Sequence, residues 1–137
     1  MKKAYSFLFV AASLLLASAA QAQDMHVRAN VPFDFTVGKT VLSAGTYDIA
    51  NIGLGDKILL LRSENKSSMV TAQECASTQP STKTVLIFRE TQEGYALYQI
   101  RVEGSSTGRE FPKPNEELRL AQNGNPAEVI IAANLLK

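Results

Sequence analysis

From Val27 to Val37 the chain reads V-R-A-N-V-P-F-D-F-T-V, with an apolar side chain at every second position. Successive side chains of a β-strand point to opposite faces, whereas a helix returns to one face every three to four residues. The stretch is therefore committed to strand, with Val27, Ala29, Val31, Phe33, Phe35 and Val37 on a core face. Arg28, Asn30, Pro32, Asp34 and Thr36 are left for water. Pro32 has no amide hydrogen for a ladder, which predicts an edge or a bulge at that point. Gly38-Lys39 supplies a turn, since glycine tolerates positive φ. A second strand over Thr46-Tyr47-Asp48-Ile49, with Tyr47 and Ile49 inward, completes an expected hairpin.

Val31-Pro32-Phe33-Asp34-Phe35, Val37-Gly38-Lys39 and Leu42-Ser43-Ala44-Gly45-Thr46-Tyr47 resemble the opening of an uncharacterised family of small exported bacterial proteins, common in acidobacteria and similar soil organisms. Leu60-Leu61-Arg62-Ser63 and Thr107-Gly108-Arg109-Glu110 are similar to its later landmarks, so the likeness spans most of the chain. Ser43 stands where members often carry Pro. The resemblance implies export and a shared fold, and brings no activity with it.

The N-terminus reads as an address. Lys2 and Lys3, an apolar run from Tyr5 to Ala17 and the small-x-small triplet Ala20-Gln21-Ala22 follow one another in the order of a secretory signal peptide. The apolar run is shorter than the ~20 residues that span a bilayer, so no stable membrane span is expected after cleavage. Residues 1–22 are thus assigned to the signal and 23–137 to one domain, a length that suits one core and not two. Without Lys2 and Lys3, 12 basic residues face 13 acidic ones. That balance gives no electrostatic footprint for nucleic acid.

Further strands are predicted over Ile58–Arg62, Ser68–Glu74, Thr84–Arg89, Tyr95–Glu103 and Glu128–Ala133, with a helix as the alternative for the last. The apolar run Ile58-Leu59-Leu60-Leu61 suggests burial on both faces, and Ala96, Tyr98, Ile100 and Val102 are expected to share the core face of their strand. Pro114 to Gln122, with early carboxylates and Gly124 beyond its end, predicts one short helix near the C-terminus. The fold class is all-β: a small antiparallel barrel or sandwich of about six to eight strands.

Chemistry is constrained by scarcity. One histidine, His26, and one cysteine, Cys75, are too few for a structural zinc site, and no catalytic Ser or Cys has a histidine near it in sequence. No metal, cofactor or catalytic residue is assigned. The acidic pool of Asp34, Glu64, Glu74, Glu90, Glu103 and Glu110 shows no spacing that selects a pair, which leaves a carboxylate-dependent hydrolase of envelope polymers as the lesser alternative. Cys75 cannot close a disulfide within the monomer, so it is either a buried thiol or one that pairs between chains. Arg109 and Glu110 form the most informative polar group: Arg109 offers a planar fork to a carboxylate or sugar, or the two residues bond across strands and hold the loop ahead of Pro112. Tyr47, Phe88, Tyr95, Tyr98 and Phe111 suit a ligand-lined cup or an ordinary core equally. The function expected is that of an exported, non-catalytic module, periplasmic or extracellular, that binds a protein, a glycan or a small apolar ligand. A lipocalin-like carrier is the alternative.

Overall fold

A computed structural model describes residues 25–52, 57–112 and 127–136. Among them are eleven strands and no helix. The strands are β1 (His26–Val31), β2 (Phe35–Val37), β3 (Thr40–Leu42), β4 (Gly45–Asn51), β5 (Ile58–Arg62) and β6 (Ser67–Thr71), then β7 (Gln73–Ala76), β8 (Val85–Thr91), β9 (Gly94–Arg101), β10 (Thr107–Glu110) and β11 (Glu128–Leu135). The signal segment and the expected helix over Pro114 to Gln122 lie outside the described residues.

Pairing closes the sheet almost into a barrel. From β1 the ladder runs through β4 and β5 to β6, and in the other direction through β11 and β8 to β9. β10 bridges the two ends, pairing with β9 on one side and with β7 on the other. Because β7 follows β6 after the single residue Ala72, one bent strand leaves β5 and joins β10. All these pairs are antiparallel; the short β2–β3 hairpin adds to the start of β9, with β2 and β9 parallel. A sheet that closes in this way hides its edges, which protects a small β-protein from edge-to-edge aggregation.

Residues that face each other across a ladder share a side of the sheet, so the register sorts the interior. Val27 faces Ile49, Ile49 faces Leu61, Leu59 faces Val70, Leu86 faces Ile100 and Phe88 faces Leu97. All of these are buried, most of them completely. Each such side chain contributes about 1.5–3 kcal/mol on leaving water, which makes the filled interior the main source of stability. At one end sits an aromatic cluster: the Phe88 ring meets Phe33 and Phe35 edge-on at centroid distances of 5.0 and 5.3 Å, and Phe35 meets Tyr47 at 5.4 Å. Outside, Arg28 on β1 and Asp48 on β4 stand opposite each other and bond at 2.6 Å.

Four expectations need correction. The sheet has eleven strands rather than six to eight, because breaks at Pro32–Asp34 and Ala72 divide what the pattern presents as continuous strands, and Thr40–Leu42 and Thr107–Glu110 add two short strands of their own. The Val27–Ala50 region is not one hairpin: β1 pairs with β4, and β2–β3 forms a tight turn of its own between them. β5 is one-sided, since Ile58 is 44% exposed while Leu59 and Leu61 are buried. In β9 a bulge between the Ile87 and Phe88 registers shifts the parity, so Leu97, not Ala96 or Tyr98, shares the core face with Ile100. The last strand is a strand, eight residues long, and not the alternative helix.

Candidate functional site: a pocket at one barrel end

The start of β1 and the ends of β9 and β11 meet the start of β10 at one end of the barrel. They enclose an open pocket of about 780 Å³. Its apolar wall comes from Met25, Val102, Leu135 and Leu136, and its polar wall from Ser105, Thr107 and Arg109, with His26 and Glu103 also lining it. The register explains why apolar and polar groups meet there. Leu135 faces Val27 on the core side of its strand, but lies beyond the filled interior and remains 36% exposed.

Both walls are fixed by hydrogen bonds. On the β9–β10 side the Gly104 amide donates to Ser81 O at 2.9 Å, the Ser81 amide to Ser105 O at 3.0 Å and the Ser77 amide to Ser106 O at 2.7 Å. The Glu103 amide donates to the buried Thr84 hydroxyl at 3.1 Å. The turn over residues 102–106 is thus strapped to the loop that follows β7. Positive φ at Gly104, 78°, lets the chain reverse there. On the opposite side the Leu136 amide donates to His26 O at 2.8 Å and the Asn51 amide to Met25 O at 3.2 Å.

Arg109 and Glu110 are neighbours on β10 and so point to opposite faces. Arg109 stands across from Ile100 and Glu74, on the core side, and its side chain is only 11% exposed. Its Nη1 donates to Gly108 O at 3.3 Å and lies 3.6 Å from Glu74 Oε2, whose side chain is 65% exposed. Glu110 turns to the outer face and accepts a bond from the buried Gln99 amide at 3.1 Å. The two residues therefore do not bond to each other. Each bonds across to a different strand, and only Arg109 reaches the pocket.

The remaining candidates fall elsewhere. Cys75 is partly buried on the outer face opposite Gly108, and burial pushes its thiol pKa up. Asp34 accepts the Ala44 amide at 2.8 Å, a turn-holding role. Phe88, Tyr47 and Phe111 are core residues. Burial also pushes the Tyr47 phenol pKa up; its hydroxyl donates to Ser43 O at 2.7 Å beside a smaller hollow of about 500 Å³ at the other barrel end. Among the described residues, no three His, Cys, Asp or Glu side chains gather closely enough to hold a metal ion. No described helix is long and apolar enough to cross a membrane. Met25, Val102 and Leu135-Leu136 were not singled out by the sequence as site residues. Leu135-Leu136 carries the one available signal, an apolar pair at the end of the chain.

Comparisons with protein families, with curated proteins and with solved structures gave no match to this chain.

Proposed function

We propose that the chain is an exported, non-catalytic binding domain that takes its ligand or partner in the pocket between β1, β10 and β11. One observation carries the reading: a hollow of about 780 Å³ whose two walls are held by backbone hydrogen bonds before anything binds. A volume of that order is typical of small-molecule sites, and a preformed wall spares the ordering entropy that a mobile one would lose on binding. Export rests on the Lys2-Lys3, apolar and Ala20-Gln21-Ala22 sequence. A mature N-terminus at Gln23 in material secreted by a bacterial host is the expected outcome.

A carrier of lipocalin type would hold its ligand inside the barrel. Less supports that reading, since Ile49, Leu59, Leu61, Leu86 and Ile100 occupy the interior with at most 1% exposure. Hydrolysis by paired carboxylates also has less support, because Asp34, Glu74 and Glu110 are each held by a separate partner. Nile red, an uncharged apolar fluorophore, tests the pocket directly. Its emission should rise on the mature chain and fall back with Leu136→Asp at unchanged melting temperature. Equal binding to both proteins would refute the assignment to this pocket.

A further inference from the structure

We infer that two copies of this chain join edge to edge through β6, antiparallel about a two-fold axis at Met69, so that their sheets run on into one. No residue of β6 lines the pocket, so this contact is separate from the binding site proposed above. In an antiparallel ladder the residues of a strand direct their N–H and C=O groups alternately to its two sides. The Ser63 amide donates to Lys66 O at 2.8 Å and the Ala72 amide to Lys57 O at 2.7 Å, so Ser68 and Val70, between them at the same parity, turn their backbone groups towards β5. Ser67, Met69 and Thr71 turn theirs away. Further along the same bent strand, Gln73, Cys75 and Ser77 point to that other side too, where β10 satisfies them; the Ser77 amide, for one, donates to Ser106 O. β10 stops short of β6. Gln73 faces Glu110, so the next outward residue, Thr71, would face Pro112, which has no amide hydrogen to give. Among the described residues β6 therefore pairs with β5 alone.

Backbone groups at this spacing are matched by another extended strand, and a second β6 matches them fully. With Met69 opposite the partner's Met69, Ser67 faces the partner's Thr71 and Thr71 faces the partner's Ser67. Every outward group of both strands is then used, and each such pair exchanges both of its bonds. The side chains agree. β6 has the sequence Ser-Ser-Met-Val-Thr, without the charge or proline that commonly guards an exposed edge, so nothing repels its copy at the axis. On the outer face Met69 is 69% exposed beside its register partner Leu60, and exposed Ile58 follows Leu60 along β5. Joining the edges lays Met69 against the partner's Met69 and extends this apolar row across the axis. A contact that uses the same patch on both copies closes at two, which makes a dimer and not a fibre.

Sedimentation equilibrium of the mature chain, under reducing conditions that keep Cys75 from cross-linking, should give a mass that rises towards twice the monomer's as concentration rises. A monomer at every concentration up to about 1 mM, or growth beyond the dimer, would overturn the inference. Met69→Lys sets like charges against each other on the axis and should raise the concentration of half-association by at least about tenfold, with the circular dichroism spectrum unchanged. Met69→Pro removes an outward amide hydrogen and none that bonds to β5, and should likewise leave a folded monomer. Association that persists in both variants places the interface elsewhere and overturns the inference. The register has its own test, on a Cys75→Ser background. Met69→Cys places two Cα atoms about 5.5 Å apart across the axis, within disulfide reach, whereas Thr71→Cys leaves them more than about 13 Å apart. Oxidation should link the first into covalent dimers on a non-reducing gel and leave the second unlinked. Equal linking of both, or linking of neither, would overturn the axis at Met69 and the interface with it.

Discussion

Gly108 offers the sharpest quantitative test of how the barrel closes. It lies in the middle of β10, between Cys75 of β7 and Arg101 of β9, in ordinary extended conformation. A methyl group there would stand 2.6 Å from Ile100 O, 3.4 Å from Cys75 Sγ and 3.6 Å from Arg101 Cγ. The first contact is with backbone, which cannot swing aside. In an unhindered strand, alanine in place of glycine stabilises by about 0.5–1 kcal/mol, because the unfolded chain loses freedom. Here the β9 and β10 backbones must separate to admit the methyl, and overpacking of this kind costs about 1–3 kcal/mol. The clash should win, giving Gly108→Ala a net loss of about 1–2 kcal/mol. Urea denaturation followed by circular dichroism reads this as a midpoint lower by about 0.5–1 M with an unchanged slope. Thr107→Ala, one residue away and exposed, should stay within about 0.5 kcal/mol. A Gly108→Ala protein as stable as its parent, or more so, would show that β9 and β10 do not approach so closely, and the closure of the barrel through β10 would fall with that result.

The other predictions concern the core, the bulge and the surface pair. Phe88→Ala should cost about 3–5 kcal/mol in urea titration, since Phe33 and Phe35 pack against the ring and cannot fill the space it leaves. Leu97→Ala should cost about 2–4 kcal/mol, because the bulge turns Leu97 inward opposite Phe88; a loss under about 0.5 kcal/mol would place it in water and remove the bulge. Bonding to Arg28 lowers the Asp48 pKa below its ordinary value of 3.8. The pair therefore stabilises the fold above that value and ceases to do so as pH falls through the lowered folded-state pKa. Asp48→Asn should lower the melting temperature at pH 6 and converge with the parent in strong acid. A difference that persists in strong acid would mean that the side chain acts through packing rather than charge.

Much of the strand content was legible because the chain advertises it locally. The alternation Val27-Ala29-Val31 and the turn at Gly38-Lys39 are decided within a few residues, and the structure follows them. The errors arose where a decision depends on something distant. Tyr98 looks inward by parity, but Arg89 lies 3.4 Å over its ring on the outer face, and the bulge accommodates the extra residue. Ile58 and Leu60 look doubly buried because apolar runs carry no parity, yet only the register with β4 and β6 tells which of them meets the core. The polar site was half legible. Arg109 stood out as a fork within a turn-rich segment; its partner Glu74 and the apolar wall from Leu135-Leu136 come from strands that nothing near Arg109 announces.

Arg109 meets Glu74 because the bent strand keeps its parity through Ala72. Ser68 faces Leu61, Val70 faces Leu59, Ala72 is fully buried, and Glu74 faces Arg109, so alternate residues from 68 to 74 keep to the core side while the strand passes from one partner to another. The Ala72 amide bonds to Lys57 O at 2.7 Å, the last link to the β5 side before the change of partner. A side-chain period of two makes this unforgiving: one extra residue at the bend would turn Glu74 outward and put Gln73 opposite Arg109. Alanine suits the bend, since a larger side chain at a position with no exposed surface would push the two ladders apart. The charge at the barrel end and the closure of the barrel thus depend on the same residue, although Ala72 does not line the pocket.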